Sequence, residues 1–488
     1  MLFTSAVFAI TVATVFIIYW FLNRKQQNIL ILVVSILFYA YWDWRFLGLL
    51  FLVIVTSFLV ALFIEKYPHR RRSLLYLYIF EILLLFFIFK YFGFFIAQAN
   101  ELIGTETTNK WSSLKIILPI GISFYLFQSL AYVIDVWRKK QKAETDLLAF
   151  SCFVIFFPQL IAGPIERSSS LLVQIKKKRQ LSFNIFYSGV SLIFCGLVKK
   201  IVIADNLGHF VGEIAVINPT RPPYSDEVIL MTIAFGIQIL ADFSAYTDIA
   251  RGTSKLFGIE LTENFRAPYF ATNIREFWRR WHITLSSWFR DYVFIPLGGN
   301  RVWLGRQLSN IMVVMLLSGI WHGAGWNFLL WGAWHGSFMC LEIVAINIMN
   351  NMEKTSFKNV WLNIPLQKCF VFSAWLYTLI VVFIGWFIFR IQSLDQASFL
   401  IDSVLYFQLS NNYSAHAVLW VTCSALLLTA IDFCRFVLCD YLTQKLIKLK
   451  GYSAIIMPLT VMMWSTMAVF IITFLGSSNK EEFIYFAF

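Results

Sequence analysis

The sequence predicts an all-α, polytopic membrane protein, and three observations carry that expectation. Only 14% of its 488 residues are charged and 59% are hydrophobic, where a soluble chain carries roughly a quarter charged residues. Phenylalanine occurs 51 times and tryptophan 18 times. Apolar runs of about 20 residues, the length that crosses a hydrocarbon core, recur along the whole chain. Leu2–Leu22, Phe46–Ile64, Ile116–Val136, Ile229–Ala250, Phe370–Phe389 and Ala454–Leu475 are examples.

The first run ends in Asn23-Arg24-Lys25, without a preceding basic stretch or a small-residue cleavage site, and reads as a retained first helix. The seven cysteines are odd in number, scattered and mostly within apolar spans, which points to reduced core residues and away from a disulfide framework. A net charge of +13 suggests nucleic acid in a soluble protein, but here the excess falls in short loops. Positive-inside bias explains it more simply.

Basic clusters at Arg24-Lys25, Lys66 with Arg70–Arg72, Arg138–Lys142, Lys176–Arg179, Arg251–Arg306 and Lys445–Lys450 alternate with loops poor in basic residues. Placing the basic loops in the cytoplasm puts both termini outside. No internal repeat or linker divides the chain. The expectation is one membrane domain, 1–488, with a cytoplasmic interfacial insertion at 251–308 and an extracytoplasmic tail at 476–488.

Two stretches depart from simple up-and-down spans. Leu147–Gly163 lies between basic loops and carries Pro158 and the Gly163-Pro164 pair, which interrupt a helix. A re-entrant segment buried in protein fits it better than a span. Asn310–Met349 is broken at Gly323-Ala324-Gly325 and returns to the side it came from. Its first arm, counted from Asn310 to His322, spans only ~20 Å at helical rise, short of a ~30 Å core. That places the glycine turn, and His322 with it, within the membrane depth.

The insertion contains "NIREFWRRWHITLSSWFRDYVFIPLGGNR", Asn273–Arg301. Read as one helix, Trp278, Trp281, Leu285, Trp288, Phe289 and Tyr292 make an apolar face, and His282 projects with Trp278, Leu285 and Phe289. One reading is an amphipathic helix lying on the inner leaflet. A compatible one is a floor for a phosphate-rich donor such as coenzyme A, with Trp278, Arg279, Arg280, Trp288 and Arg290 as contacts.

"SGIWHGAGWNFLLWGAWHG", Ser318–Gly336, keeps His322 and His335 with no Lys, Arg, Asp or Glu between them. An inter-helix hydrogen bond would account for such a histidine. An active site would too, because ionisable groups inside spans are costly and mark functional positions. Burial keeps an imidazole neutral and able to act as a base. The two histidines lack the i,i+4 spacing and neighbouring carboxylates or thiols of a metal site, so none is assigned. No G-x-S-x-G elbow supports a serine hydrolase.

Three blocks, "FFPQLIAGPIER" (Phe156–Arg167), "NFRAPYFATNIREFWRRWHITLSSWFRDYVFIPLGGNR" (Asn264–Arg301) and "LSGIWHGAGWNFLLWGAWHG" (Leu317–Gly336), resemble the membrane-bound O-acyltransferases, in the branch of the AlgI and DltB types. They stand in the family's order, and the resemblance runs from the first span to the last residue. It implies a multi-helix fold with a tunnel through the membrane. The family's hallmark histidine falls on His322 and its second on His282. His335 matches a position the family often fills with histidine, without a catalytic role. Trp321, Trp326 and Asn327, in the hallmark block, join the candidate substrate contacts.

The resemblance also implies the chemistry. The donor would be a cytoplasmic thioester, acetyl-CoA, with an acyl carrier protein thioester as the alternative; no cofactor is bound. His322 would deprotonate the attacking hydroxyl, and His282 would position the donor or polarise its carbonyl. The final residues, "EEFIYFAF" (Glu481–Phe488), resemble the family's aromatic C-terminal motif, which puts Tyr485 in the role of acyl carrier; a tail packed on the tunnel mouth is the other reading. Expected partners are the bilayer of a bacterial inner membrane, the donor and a periplasmic SGNH-type acetyltransferase or esterase, with no nucleic acid. The expected function is O-acetylation of a cell-envelope polysaccharide, peptidoglycan or an exopolysaccharide. D-alanyl transfer from a carrier protein and a non-catalytic transporter or flippase are the alternatives.

Overall fold

The computed structural model describes residues 3–103, 116–215, 224–353, 364–391, 394–406, 415–438, 466, 468–477 and 483–484. These residues are helical and contain no strand. In chain order the helices are α1 (Ala6–Trp20), α2 (Arg24–Asp43), α3 (Leu47–Lys66), α4 (Arg71–Phe86), α5 (Phe92–Ile103) and α6 (Ile122–Trp137). Then come α7 (Leu147–Ile155), α8 (Leu171–Lys176), α9 (Phe183–Val198), α10 (Asp205–Ala215), α11 (Ser225–Leu256), α12 (Ile274–Arg280) and α13 (Ile283–Phe289). The last are α14 (Leu304–His322), α15 (Trp326–Glu353), α16 (Ile364–Arg390), α17 (Leu394–Leu405) and α18 (Ala415–Phe433).

Eight helical stretches among the described residues are long and apolar enough to cross a membrane. Phe46–Ile64 and Ile229–Ala250 fall on such stretches, within Arg24–Lys66 and Ser225–Leu256, and Phe370–Phe389 coincides with Phe370–Arg390. Two expected spans are shorter as helices. α1 has 15 residues, and α6 starts only at Ile122, after Gly121 in a left-handed turn. A side chain on Gly121 would collide with the Leu160 carbonyl, so the close approach and the positive φ both require glycine. Most of Ala454–Leu475 lies outside the described residues.

The described residues fall into two compact units. The first takes in Met1–Leu197, Ala245–Glu263 and Ala454–Phe470. Three of its helices, α1, α2 and α7, start at a capping side chain. Asn23 and Gln26 exchange side chain and backbone bonds of 3.1 Å at the start of α2, and Asp146 accepts from the Ala149 amide at α7. α7 stops at Ile155, three residues before Pro158, and the chain continues through fully buried turns to Gly163. Polar side chains satisfy that irregular backbone, as burial demands. The Phe153 carbonyl accepts from Gln128 Nε2 at 2.7 Å and Gln159 Nε2 at 3.0 Å, and the Phe157 amide donates to Ser35 Oγ at 3.1 Å. The interruption expected at this stretch is therefore present. At its far end Glu166 accepts from the amide and hydroxyl of Thr262.

The second unit takes in Val198–Ser244, Asn264–Ser453 and Ile471–Phe488. Its centre is the α14–α15 hairpin, with the break at Gly323-Ala324-Gly325 where the sequence places it. Gly319 faces the Phe328 carbonyl, Gly332 faces Met315 and Gly336 faces Met312, an antiparallel register in which any side chain on Gly319 or Gly332 would strike backbone. The first arm is longer than expected. α14 begins at Leu304, not Asn310, and its 19 residues extend ~28 Å. The first turn, Leu304-Gly305-Arg306-Gln307, joins the helix ahead of the apolar run, with the Gln307 amide donating to the Trp303 carbonyl at 3.0 Å. The shortness of the arm thus gives no ground for a mid-depth turn.

Candidate active site

A single buried asparagine organises the turn that carries His282. The expected continuous helix over Asn273–Arg301 is broken there: α12 ends at Arg280, and α13 starts at Ile283. Between them His282 takes φ 42° and ψ 54°, a left-handed conformation costly for a residue with a Cβ. Asn264 holds it. The Asn264 carbonyl accepts from the Ile283 amide at 2.9 Å. Its Oδ1 accepts from the amide and hydroxyl of Thr284 at 3.1 and 2.9 Å.

His282 Nδ1 stands 3.2 Å from the same Oδ1. An oxygen that already accepts two donors can only accept again, so Nδ1 carries the hydrogen and Nε2 is the basic nitrogen. The ring is 1% exposed and packs edge-on to Phe243, centroids 4.8 Å apart. Burial pushes its pKa down to about 3, so it is neutral at physiological pH.

The turn also corrects the expected amphipathic face. Trp281 turns inward, almost fully buried, and packs 5.0 Å from Phe265 and 4.6 Å from Trp386. Trp288 and Phe289 are buried as well. Protein covers this aromatic face, and His282 does not project with Trp278, Leu285 and Phe289. α12 nonetheless starts as a cap predicts, with Asn273 Oδ1 accepting from the Glu276 amide at 2.8 Å.

His322 is the last residue of α14 and is 4% exposed. Three rings surround it edge-on: Trp321 at 5.0 Å, Trp331 at 5.0 Å and Phe389 at 5.3 Å between centroids. Trp321 also lies 6.0 Å from His282. One indole therefore bridges the two histidines that the sequence singles out. Trp331 makes a second bridge, to His335 at 5.1 Å. His335 is fully buried, 5.1 Å from Trp278, and so close to Gly385 that a methyl there would overlap Nε2.

The other candidate contacts divide. Trp278, through Trp331, and Trp321 join the histidine cluster. Asn327 anchors the start of α15 by donating to the Phe389 carbonyl at 3.0 Å. Arg280 pairs with Glu276 at 2.6 Å, and Arg290 with Asp291 at 2.8 Å. Arg279 and Arg290 are exposed, and Trp326 is 52% exposed. Trp288 packs on Phe289 and Tyr292. Tyr485 lies outside the described residues.

Asn264, Phe243 and a charged cluster adjoin the site but are not among the residues that motif or periodicity singles out. Lys200 Nζ is 2.8 Å from both Asp205 Oδ1 and Asp242 Oδ1, all three nearly buried. Asp242 sits in the apolar run Ile229–Ala250, and a carboxylate there is itself a signal. Its Oδ2 accepts from the Ile484 amide at 2.7 Å. Phe483 is buried, 6.2 Å from Phe243.

The profile of the MBOAT, membrane-bound O-acyltransferase family, matches residues 36–389, a range that includes His282 and His322. The chain is 36% identical over 401 residues to the "Probable alginate O-acetylase AlgI" of Azotobacter vinelandii, covering 81% of this chain and 76% of that one. It is 33% identical over 416 residues to the peptidoglycan O-acetyltransferase of Helicobacter pylori, with 78% and 75% covered. A more distant likeness, 28% over 281 residues, is to the teichoic acid D-alanyltransferase of Bacillus subtilis, with 55% and 68% covered.

Proposed function

Because this chain belongs to the membrane-bound O-acyltransferase family, we propose that it moves an acetyl group from cytoplasmic acetyl-CoA to the outside, for O-acetylation of a cell-envelope polysaccharide. That it is a multi-pass membrane protein and an O-acyltransferase is the premise; the donor, the acceptor and the route are the proposal. The observation that carries it is the pair of buried imidazoles, His282 and His322, on either side of Trp321. The two acetyl-transferring relatives cover about four fifths of the chain, against 55% for the D-alanyl-transferring one, which favours acetyl.

His322 is the general base. It takes the proton of the attacking hydroxyl as that oxygen bonds to the thioester carbonyl carbon. When the tetrahedral adduct collapses the carbon–sulfur bond breaks, and the imidazolium returns the proton to the leaving thiolate. His282, with Nδ1 fixed by Asn264, offers Nε2 on the donor side and positions the thioester. Coenzyme A is polyanionic and stays in the cytoplasm, so the acyl group alone crosses.

Tyr485 is the first acceptor in this scheme. A phenol has pKa ~10 against ~15.7 for water, so its ester keeps the transfer potential needed to pass acetyl onward to a serine of a periplasmic SGNH-type partner. The membrane is the bacterial inner membrane, with both termini outside.

Labelled acetyl-CoA, purified protein and mass spectrometry of the C-terminal peptide test the scheme. Acetyl should appear on Tyr485, and His322→Ala should lower its rate of formation roughly 10²–10⁴-fold, the usual share of a general base. Acetyl on Tyr485 that survives His322→Ala would remove His322 as the base, whereas substrate flux that survives it with no covalent transfer would favour transport over catalysis. Turnover of a carrier-protein thioester with none of acetyl-CoA would favour the D-alanyl reading.

A further inference from the structure

We infer that the buried Lys200–Asp205–Asp242 cluster is a latch that holds the C-terminal segment against the wall of the active site, with Asp242 as the positioning residue. The two residues that meet the tail are neighbours on α11. Asp242 accepts the Ile484 amide through Oδ2 at 2.7 Å while its Oδ1 faces Lys200 Nζ at 2.8 Å. Phe243 packs on Phe483 from one side and on His282 from the other, at 6.2 and 4.8 Å. Lys200 adds a third hold, with Nζ 5.7 Å from the centre of the Phe483 ring. One amide and one aromatic ring, in consecutive residues, are thus gripped from three directions.

The chemistry suits a grip that has to last. A carboxylate buried in an apolar helix is costly unless paired. Lys200 supplies that pairing and, being shared with Asp205, is itself fixed. A backbone N–H donating to an ionised carboxylate is about twice as strong as a neutral pair. Upstream, the Ser477 amide donates to the Ile201 carbonyl at 3.1 Å, and Asn206 Nδ2 donates to the Leu475 carbonyl at 3.0 Å. The same segment, 199–206, therefore receives the chain both where it leaves its last described helix and at its return. The residue peptide-bonded to Ile484 is Tyr485. Pinning Ile484 sets the point from which that phenol must reach the acyl donor; this consequence rests on reading Tyr485 as the acyl carrier.

Hydrogen exchange of the full chain in detergent, read by mass spectrometry, tests the latch without reference to catalysis. Asp242→Ala leaves Lys200 facing Asp205, and Asp205→Ala leaves it facing Asp242, so neither variant strands the cation. Asp242→Ala should speed exchange at the Ile484 amide about tenfold or more, while Asp205→Ala leaves it within about threefold of the unaltered chain. Peptides from 304–353 should be unchanged in both. Asp242→Asn, which keeps the shape but not the charge, should fall between and serves if the alanine variant does not fold. Acetyl on Tyr485 should drop about tenfold with Asp242→Ala. Fast exchange at Ile484 in the unaltered chain, or equal loosening by Asp205→Ala and Asp242→Ala together with the 304–353 peptides, overturns the latch. A protected Ile484 with no acetyl on Tyr485 in the unaltered chain keeps the latch and removes the acyl-carrier reading instead.

Discussion

At His282 one side chain answers to two demands, a backbone turn and a proton address, and Asn264 serves both. The amide oxygen that steadies the left-handed turn also decides which ring nitrogen is basic. Burial has a measurable consequence for folding. An unfolded imidazole titrates near 6.5, whereas this one is held down to about 3. Between those values the unfolded chain binds a proton that the folded chain refuses. The contribution is therefore fully present above pH ~6.5 and is lost as pH falls toward 3, at up to ~1.4 kcal/mol per pH unit. His282→Gln should flatten that part of the acid decline, followed as the thermal midpoint between pH 7 and pH 4. Parallel declines for the two proteins would show that the ring accepts a proton while folded.

At the scale of elements, breaks set by glycine and proline are legible because those residues act locally. The Gly323-Ala324-Gly325 turn and the end of α7 ahead of Pro158 lie where the sequence puts them. The break at His282 is not legible, because aromatic residues recur at helical spacing straight through it. Those rings are buried on opposite sides of a turn, and a repeat of three and four cannot tell one covered face from two. The start of α14 escapes for the opposite reason: its first turns are polar and carry no apolar signal. Helix contacts at glycine can be tested directly. A methyl on Gly385 would overlap His335 Nε2, so Gly385→Ala should cost about 1–3 kcal/mol by overpacking. His335→Ala removes the obstacle, and the double variant should be more stable than the two single changes added together. A strictly additive cycle in thermal or denaturant unfolding would mean that the helices part without involving the ring.

For the whole molecule, membrane class and family were readable from composition and three blocks of sequence, since both are written in long runs. The site was only partly readable. His282, Trp321 and His322 come together, but Asn264 stands eighteen residues before its imidazole in a non-helical stretch of chain, and nothing in periodicity links them. Arg279, Arg290 and Trp326 are exposed, and chemical type alone does not tell an exposed candidate from a buried one. Loop charge sets the expected orientation of the whole chain. In a background whose native thiols do not react, Ser477→Cys should label with an impermeant maleimide added to intact spheroplasts, and Lys177→Cys only after lysis. The reverse pattern would invert the proposed direction of acyl flow.

The left-handed backbone at position 282 narrows what could ever stand there. Glutamate or lysine could shuttle protons yet would sit badly in that corner of conformational space, while asparagine and glycine sit well and move no proton. Aspartate tolerates the bend too, but it would replace a neutral base by an acid whose ionised form is costly to bury, so a mutational path away from histidine gives up the bend, the basicity or the neutrality of this corner at its first step.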